Sequence, residues 1–310
     1  MPLFADFQHP KLVAEPPAGA AWLHEIKLDG YRLQARIEGG AVTIHTRNGH
    51  DWTDKFPDLA EEFAELPDAI LDGELCLMGP DGKPTFSGLR AAIGRGRTEA
   101  LVFFAFDILW RGSDDLRTFA LKDRKAALAG VLEAAPSPRI RMVDALPQSG
   151  PALLQAACRM GLEGIVSKRR EAPYVAGRSD KWVKSKCRPA QEVVIGGWLQ
   201  EPQRHFKALL VGVYEEGGRL RYVGTVKSGF AKHPGLVAQL EALEAAASPF
   251  AGADAPRRTV ETRWAEPRLV ARVEFAEWTA SGKLRQSNFL GLRDDKDPRE
   301  VVREVAGDVI

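Results

Sequence analysis

Apolar and polar residues alternate with a period of two over several short stretches of this chain, the pattern of strands with one buried face. Residues 22–28 read as one such strand. Residues 33–37 and 42–46 alternate around Glu38-Gly39-Gly40, which predicts a hairpin. Trp52, Phe56, Leu59, Phe63 and Leu66 recur at steps of four and three, the signature of an amphipathic helix. Residues 69–78 and 101–110 are apolar runs of strand length, the second apolar on both faces as a fully buried strand requires. Helices over 121–133 and 151–160 follow, then strands near 164–168 and 182–186.

The texture changes from Ala190. Residues 192–199, 208–214 and 219–226 read as strands, the last two joined by Glu215-Glu216-Gly217-Gly218. A helical stretch covers 233–246, further strands 257–264 and 269–278, and a closing helix 298–305. Five strands interrupted by one helix suit a small closed barrel of the OB type. The boundary falls near residues 188–191, giving domains at 1–189 and 190–310.

Composition adds limits. At 310 residues the chain can bury one large core or two moderate ones. Hydrophobic residues at 45% and charged residues at 27% give the balance of a globular chain, not a disordered one. No stretch approaches the roughly 20 apolar residues that span a bilayer, and residues 1–17 show no basic-then-apolar leader. Cys76, Cys158 and Cys187 are widely spaced and odd in number, so the expectation is neither a disulfide framework nor a zinc knuckle, and a reducing cytoplasm. The net charge of +1 does not announce a nucleic-acid partner. Locally, Lys168, Arg169, Arg170, Arg178, Lys181, Lys184, Lys186 and Arg188 face only Glu171 and Asp180, a concentration that could neutralise phosphates or form a solvated basic face. The basic segment at 90–97 allows the same two readings, with Arg95-Gly96-Arg97 a phosphate contact or a solvated turn.

Candidate chemistry starts at His24-Glu25-Ile26-Lys27-Leu28-Asp29-Gly30-Tyr31-Arg32. In an extended chain Glu25, Lys27 and Asp29 share a face, with Ile26 and Leu28 toward the core. A lysine between two carboxylates is either a satisfied ion pair or a nucleophile. Leu71-Asp72-Gly73-Glu74-Leu75 and Glu163-Gly164-Ile165-Val166-Ser167-Lys168 each set a carboxylate beside an apolar strand. Lys184 and Lys186 share a face by the same period of two. Each is weak alone, since an isolated glutamate-glycine step is usually a turn.

In their order these segments resemble the motifs of the covalent nucleotidyltransferases, the superfamily of DNA ligases, some RNA ligases and messenger-RNA capping enzymes. Residues 27–32 resemble the nucleophile motif; Arg47-Asn48-Gly49, Asp72-Gly73-Glu74, Phe103-Phe104-Ala105-Phe106-Asp107, Glu163-Gly164 and Lys184/Lys186 follow in family order. Phe289-Leu290-Gly291-Leu292-Arg293-Asp294-Asp295-Lys296 looks like the last motif of the ligases' OB domain. Within the superfamily the chain is similar to the bacterial ATP-dependent DNA ligases of end joining, the ligase module of ligase D. Gln286-Ser287 departs from the His-Pro expected before the last motif.

The resemblance implies an α+β fold: a nucleotidyltransferase (adenylation) domain with antiparallel sheets and flanking helices, then an OB-fold β-barrel. It implies ATP as the nucleotide, AMP carried on Lys27, and sealing of nicked or broken duplex DNA. Glu25 would read the adenine amino group, Arg32 and Glu74 would contact ribose, and Arg47 ribose or the 5′-phosphate. Phe106, which composition alone would place in the core, would stack on adenine. Glu163 and Asp29 would hold Mg²⁺ or Mn²⁺, Asp29 also assisting the nick chemistry. Lys184 and Lys186 would hold the α-phosphate; Arg293 and Lys296 would orient pyrophosphate. That last task calls for a domain closure and a reopening. Ku or other end-joining proteins would be partners of a monomer with no membrane. An RNA ligase, a GTP-using capping-type enzyme and a non-catalytic OB-type binding module are the alternatives, while NAD-dependent ligases are disfavoured by the missing zinc-binding cysteines.

Overall fold

The computed structural model describes residues 1–201 and 206–304, and the chain divides into two compact units, Met1–Cys187 and Arg188–Val305. Two sheets build the first unit. One joins β1 (Gln8–Leu12), β2 (Trp22–Ile26), β9 (Gly164–Arg169) and β10 (Gly177–Lys186) in the order β1-β10-β9-β2. The other joins β3 (Tyr31–Glu38), β4 (Ala41–Thr46), β5 (Ala69–Leu77), β6 (Leu101–Arg111) and β7 (Asp114–Asp115) in the order β4-β3-β5-β6-β7, with β8 (Ile140–Met142) beside β6. Helices α1 (Pro57–Ala64), α2 (Phe86–Gly94), α3 (Leu121–Ala134) and α4 (Gly150–Arg159) flank them.

Local sequence explains most of these elements. The β3–β4 hairpin turns at Gly39 and Gly40, both at positive φ, as a tight two-residue turn needs. Phe56, Leu59, Phe63 and Leu66, from the four-and-three pattern, are buried under the second sheet with Leu33, Ile37, Leu71 and Phe103. Their segment begins as a short 3₁₀ turn at Thr53–Lys55, because Pro57 starts α1 at its first turn. Strand β10 extends back to Gly177, five residues before its expected start, and β1, which the sequence did not show, runs parallel to it. Helix α2 was also unexpected; Thr85 caps it by accepting from Gly88 N.

The cysteines correct an expectation. Cys158 at the end of α4 and Cys187 just after β10 form a disulfide, Cα–Cα 5.1 Å, while Cys76 is free and buried. Their separation of 29 residues hides the pair in sequence, and packing of α4 on β9, next to β10, brings them together. Cysteine usage therefore no longer argues for a reducing compartment. No helix among the described residues is long and apolar enough to cross a membrane.

The second unit is one curled sheet. Strands β11 (Ala190–Gln200), β12 (Phe206–Tyr214), β13 (Leu220–Val226), β14 (Glu244–Ala245), β15 (Phe250–Ala251) and β16 (Thr262–Glu274) pair in the order β14-β16-β11-β12-β13-β15. The hairpin β17 (Glu277–Trp278) with β18 (Leu284–Arg285) is separate, and β19 (Asn288–Arg293) pairs with the second half of β16. Its core gathers Trp198, Val211, Leu240, Phe250, Val273 and Phe289, and this half-barrel is an OB fold.

Three expectations here give way to tertiary structure. The helix expected at 233–246 is only α5 (Leu236–Glu241), because Glu244 and Ala245 pair with the edge of β16. The strands expected at 257–264 and 269–278 merge into one, which starts at Thr262 where a Thr259–Thr262 turn ends. The closing helix at 298–305 is a single 3₁₀ turn, Pro298–Glu300, and Val305 lies outside the described residues.

Among the described residues of the first unit, one fully buried ion pair joins β6 and α3. Asp107 and Arg124 make a bidentate pair, Nε–Oδ1 and Nη2–Oδ2 both 2.8 Å, with both side chains fully buried. Removing one partner strands the other charge, so Arg124→Ala should lose about 3–5 kcal/mol in chemical denaturation. The apolar pair Asp107→Leu/Arg124→Met should recover more than half of that loss.

Candidate active site

The strand carrying Lys27 ends at Ile26, but its backbone pairing continues one residue further, since Lys27 N donates to Gly164 O at 2.9 Å. Across the sheet Gly164 pairs with Lys186, and Glu25 pairs with Val166, which pairs with Lys184. Residues paired directly across strands point to the same side. One face therefore bears Glu25, Lys27, Lys168, Lys184 and Lys186, while the opposite face carries His24, Ile26, Ile165, Ser167 and Val183.

The expected shared face of Glu25, Lys27 and Asp29 holds only in part. Asp29 lies past the strand end, and Glu25 is more buried than Ile26. The ion pair of Lys27 is made by neither of the two carboxylates nearest it in sequence. Lys27 Nζ donates to Glu163 Oε2 at 2.8 Å, from 136 residues away. Glu25 is met instead by two buried lysines: Lys125 Nζ at 2.6 Å from Oε1 and Lys168 Nζ at 2.6 Å from Oε2. Burial pushes the Lys168 ammonium below its ordinary pKa, partly offset by Glu25, while Lys125 adds to the depression.

Two motif glycines mark close approaches, not the turns that an isolated glutamate-glycine step suggests. A Cβ on Gly164 would lie 2.1 Å from Ser185 O, and one on Gly30 would lie 2.1 Å from Leu75 O. Gly164 thus lets β9 close on β10 and brings Glu163 to the lysine face; Cys187 N also donates to Glu163 O at 2.9 Å. Gly30 brings the end of the Lys27 segment onto β5, where Gly30 N donates to Glu74 Oε1 at 3.0 Å. Beneath lies Cys76, whose thiol is pushed well up by burial and further by Glu74 and Asp29, with Lys27 opposing.

The second sheet supplies the remaining candidates. Arg32 on β3 faces Glu74 on β5 in register, but its guanidinium is committed to Asp72, Nε–Oδ1 3.0 Å and Nη2–Oδ2 2.6 Å. Burial alone would lower the Arg32 pKa, yet Asp72 beside it and Tyr174 hold it above its usual range. Asp72 also accepts from Tyr174 Oη at 2.8 Å. Phe106 falls in a register shift between β5 and β6, where the bulge re-aims its side chain. It is half-buried, edge-on to Trp182 at 5.9 Å, with Arg32 and Lys168 placed over its ring. Arg47 is half-buried in the turn after β4.

In the OB unit Arg293 ends β19 and makes a bidentate pair with Asp295, 2.8 and 2.7 Å, both side chains nearly buried. Lys296 is half-buried. The basic segment of 168–188 divides: Lys168 is internal, Arg170, Arg178 and Arg188 are exposed, and Lys184 and Lys186 are half-buried. Arg95-Gly96 is a turn after α2.

Lys125, Tyr174 and Arg124 were absent from the sequence-derived site, and Asp72 entered it only within a motif, with no role of its own. One signal was available. Arg124 and Lys125 fall on the same stripe of α3 as buried Leu121, Leu128 and Val131, where solvated cations do not belong.

A lysine just past a strand end, paired with a distant glutamate on a face with two further lysines and followed by an OB fold, defines a nucleotidyltransferase of the ligase class. Residues 5–186 match the family described as "ATP dependent DNA ligase domain", and residues 202–296 that described as "ATP dependent DNA ligase C terminal region". The chain belongs to the ATP-dependent DNA ligase family. It is 41% identical over 301 residues to the "Multifunctional non-homologous end joining protein LigD" of Pseudomonas aeruginosa, covering 94% of this chain and 36% of that protein. It is 36% identical over 291 residues to the end joining DNA repair protein LigD of Mycobacterium tuberculosis, covering 91% and 37%. The chain thus spans little more than a third of the length of these curated relatives. A solved structure, "mycobacterial DNA ligase D complexed with ATP and MES", superposes with a TM-score of 0.68 at 34% identity, covering 95% of this chain and 98% of that one.

The close approach at Gly164 yields a sharp expectation. Gly164→Ala overpacks β9 against β10 at a positive φ, which typically costs about 1–3 kcal/mol. Its thermal midpoint should fall, whereas Gly94→Ala in helix α2, with open space around its Cβ, should be neutral or slightly stabilising.

Proposed function

We propose that this chain seals breaks between a 5′-phosphate and a 3′-hydroxyl in duplex DNA, with AMP carried covalently on Lys27. The observation that carries this reading is the corner where Lys27 Nζ lies 2.8 Å from Glu163 Oε2, on the face that also bears Lys184 and Lys186. A lysine attacks phosphorus only when neutral, and its unperturbed pKa is about 10.4. The two neighbouring cations favour the neutral form, while Glu163 opposes it for as long as the ion pair stands.

Glu163 and Asp29 offer hard oxygen donors of the kind Mg²⁺ or Mn²⁺ takes, and such ions need few protein carboxylates beside phosphate and water. A divalent ion there would supply charge neutralisation at the α-phosphate. Lys184 and Lys186 hold that phosphate while Lys27 Nζ attacks it. The phosphorus–nitrogen bond forms, pyrophosphate leaves, and the nitrogen gives up its proton. A 5′-phosphate oxygen at the break then takes the AMP, breaking the phosphorus–nitrogen bond. The 3′-hydroxyl finally attacks the activated 5′-phosphorus, and AMP departs.

Glu25 reads the adenine amino group, Arg32 and Glu74 serve the ribose, Phe106 stacks on the base, and Arg47 serves the ribose or the 5′-phosphate. Arg293 and Lys296 are assigned to the pyrophosphate. The likeness to proteins named for non-homologous end joining supports a place in end joining; in this reading the protein acts as a monomer recruited by a Ku-type protein.

Lys27→Ala should abolish AMP transfer from α-labelled ATP and all nick sealing, with an unchanged thermal midpoint. A covalent AMP adduct on the Lys27→Ala protein, seen by intact mass, overturns the assignment.

A further inference from the structure

Glu25 is a buried carboxylate near the proposed nucleotide site that is met by two cations. It is 2% exposed, with one lysine on each oxygen. Lys168 belongs to β9, inside the motif-bearing sheet. Lys125 comes from α3, outside every motif considered above, and is itself buried. Its Nζ also donates to Val143 O at 2.6 Å, so the ammonium is fixed between a carboxylate and a carbonyl.

We propose that Lys125 is the positioning residue that makes Glu25 selective for a 6-amino purine nucleotide over a 6-oxo one. The inference rests on the reading of Glu25 as the group that meets the base. An isolated carboxylate at this depth would shed its charge by taking a proton. Once protonated, it has an O–H donor and can satisfy a carbonyl as well as an amino group. With Lys125 donating to Oε1 and Lys168 donating to Oε2, both oxygens of Glu25 act as acceptors. Adenine presents an amino donor at position 6 and guanine a carbonyl acceptor there. An acceptor-only carboxylate therefore bonds the first and repels the second. Lys125, itself held by Val143 O, also restrains the carboxylate plane.

The test is covalent adduct formation by the full chain with ATP, GTP and purine riboside triphosphate, which lacks the 6-amino group, read by intact mass and initial rate. A charge-assisted hydrogen bond of ordinary strength corresponds to about tenfold or more in apparent affinity. Lys125→Met should raise KM for ATP by about tenfold and leave KM for purine riboside triphosphate within about twofold. The preference for ATP over both analogues should shrink accordingly. Lys125→Arg, which keeps the charge, should retain most of the preference. If Lys125→Met does not fold, Lys125→Gln decides, since it keeps a donor for Glu25 and Val143 but drops the charge; it too should lose the preference. Equal losses with all three nucleotides in the folded variant, or an unchanged preference, overturn the role of Lys125. A wild-type protein that charges equally with ATP and purine riboside triphosphate removes the role of Glu25 and this inference with it, while leaving Lys27 as nucleophile. A wild-type protein that forms no adduct with any nucleotide overturns the proposed function itself.

Discussion

Backbone pairing through Lys27, Gly164 and Lys186 is the constraint on which the candidate site depends. Side chains of like charge would not gather on one sheet face by themselves. Hydrogen bonds of the ladder hold them there, and a glycine at the crossing lets the strands approach closely enough. Glu163 is then carried to Lys27 by the loop between α4 and β9, so the partner of the lysine is set by topology and not by its neighbours in sequence.

Inside the first unit, charge is buried in three connected groups: Arg32 with Asp72, Arg124 with Asp107, and Glu25 with Lys125 and Lys168. Well-packed apolar residues could fill such volume at less desolvation cost. What ionic groups supply is fixed geometry, because each bidentate or doubly held carboxylate admits few arrangements. The aromatic rings of Phe106, Trp182 and Tyr174 fill the spaces between, with the cations of Arg32 and Lys168 over the ring faces of Phe106 and Trp182.

Much of this was legible in sequence where short-range patterning governs. The Gly39-Gly40 hairpin, the apolar stripe of α1 and the period of two at Lys184 and Lys186 all depend on residues within a few positions of one another. The motif resemblance carried the functional class. What stayed hidden depends on distant contacts. β1 shows no strand pattern of its own until β10 lies beside it, residues 244–245 look helical until β16 captures them, and Cys158 meets Cys187 only through packing of α4 on β9. The partnership of Glu25 with Lys125 stayed hidden for the same reason, since Lys125 lies 100 residues away, even though its place on the apolar stripe of α3 marks it as buried.

The depth of Glu25 separates two kinds of electrostatics on one sheet. Mobile ions screen exposed charges over a length of about 8 Å at physiological ionic strength, and reach buried pairs far less. Arg170, Arg178 and Arg188 lie in the first regime; Glu25 with its two lysines lies in the second. Added salt therefore weakens whatever the outer cations attract while leaving the carboxylate and its counter-ions almost untouched. In the proposed reading, grip on a polyanion and discrimination at the base would be tuned by different surroundings, with the salt content of the medium acting mainly on the first.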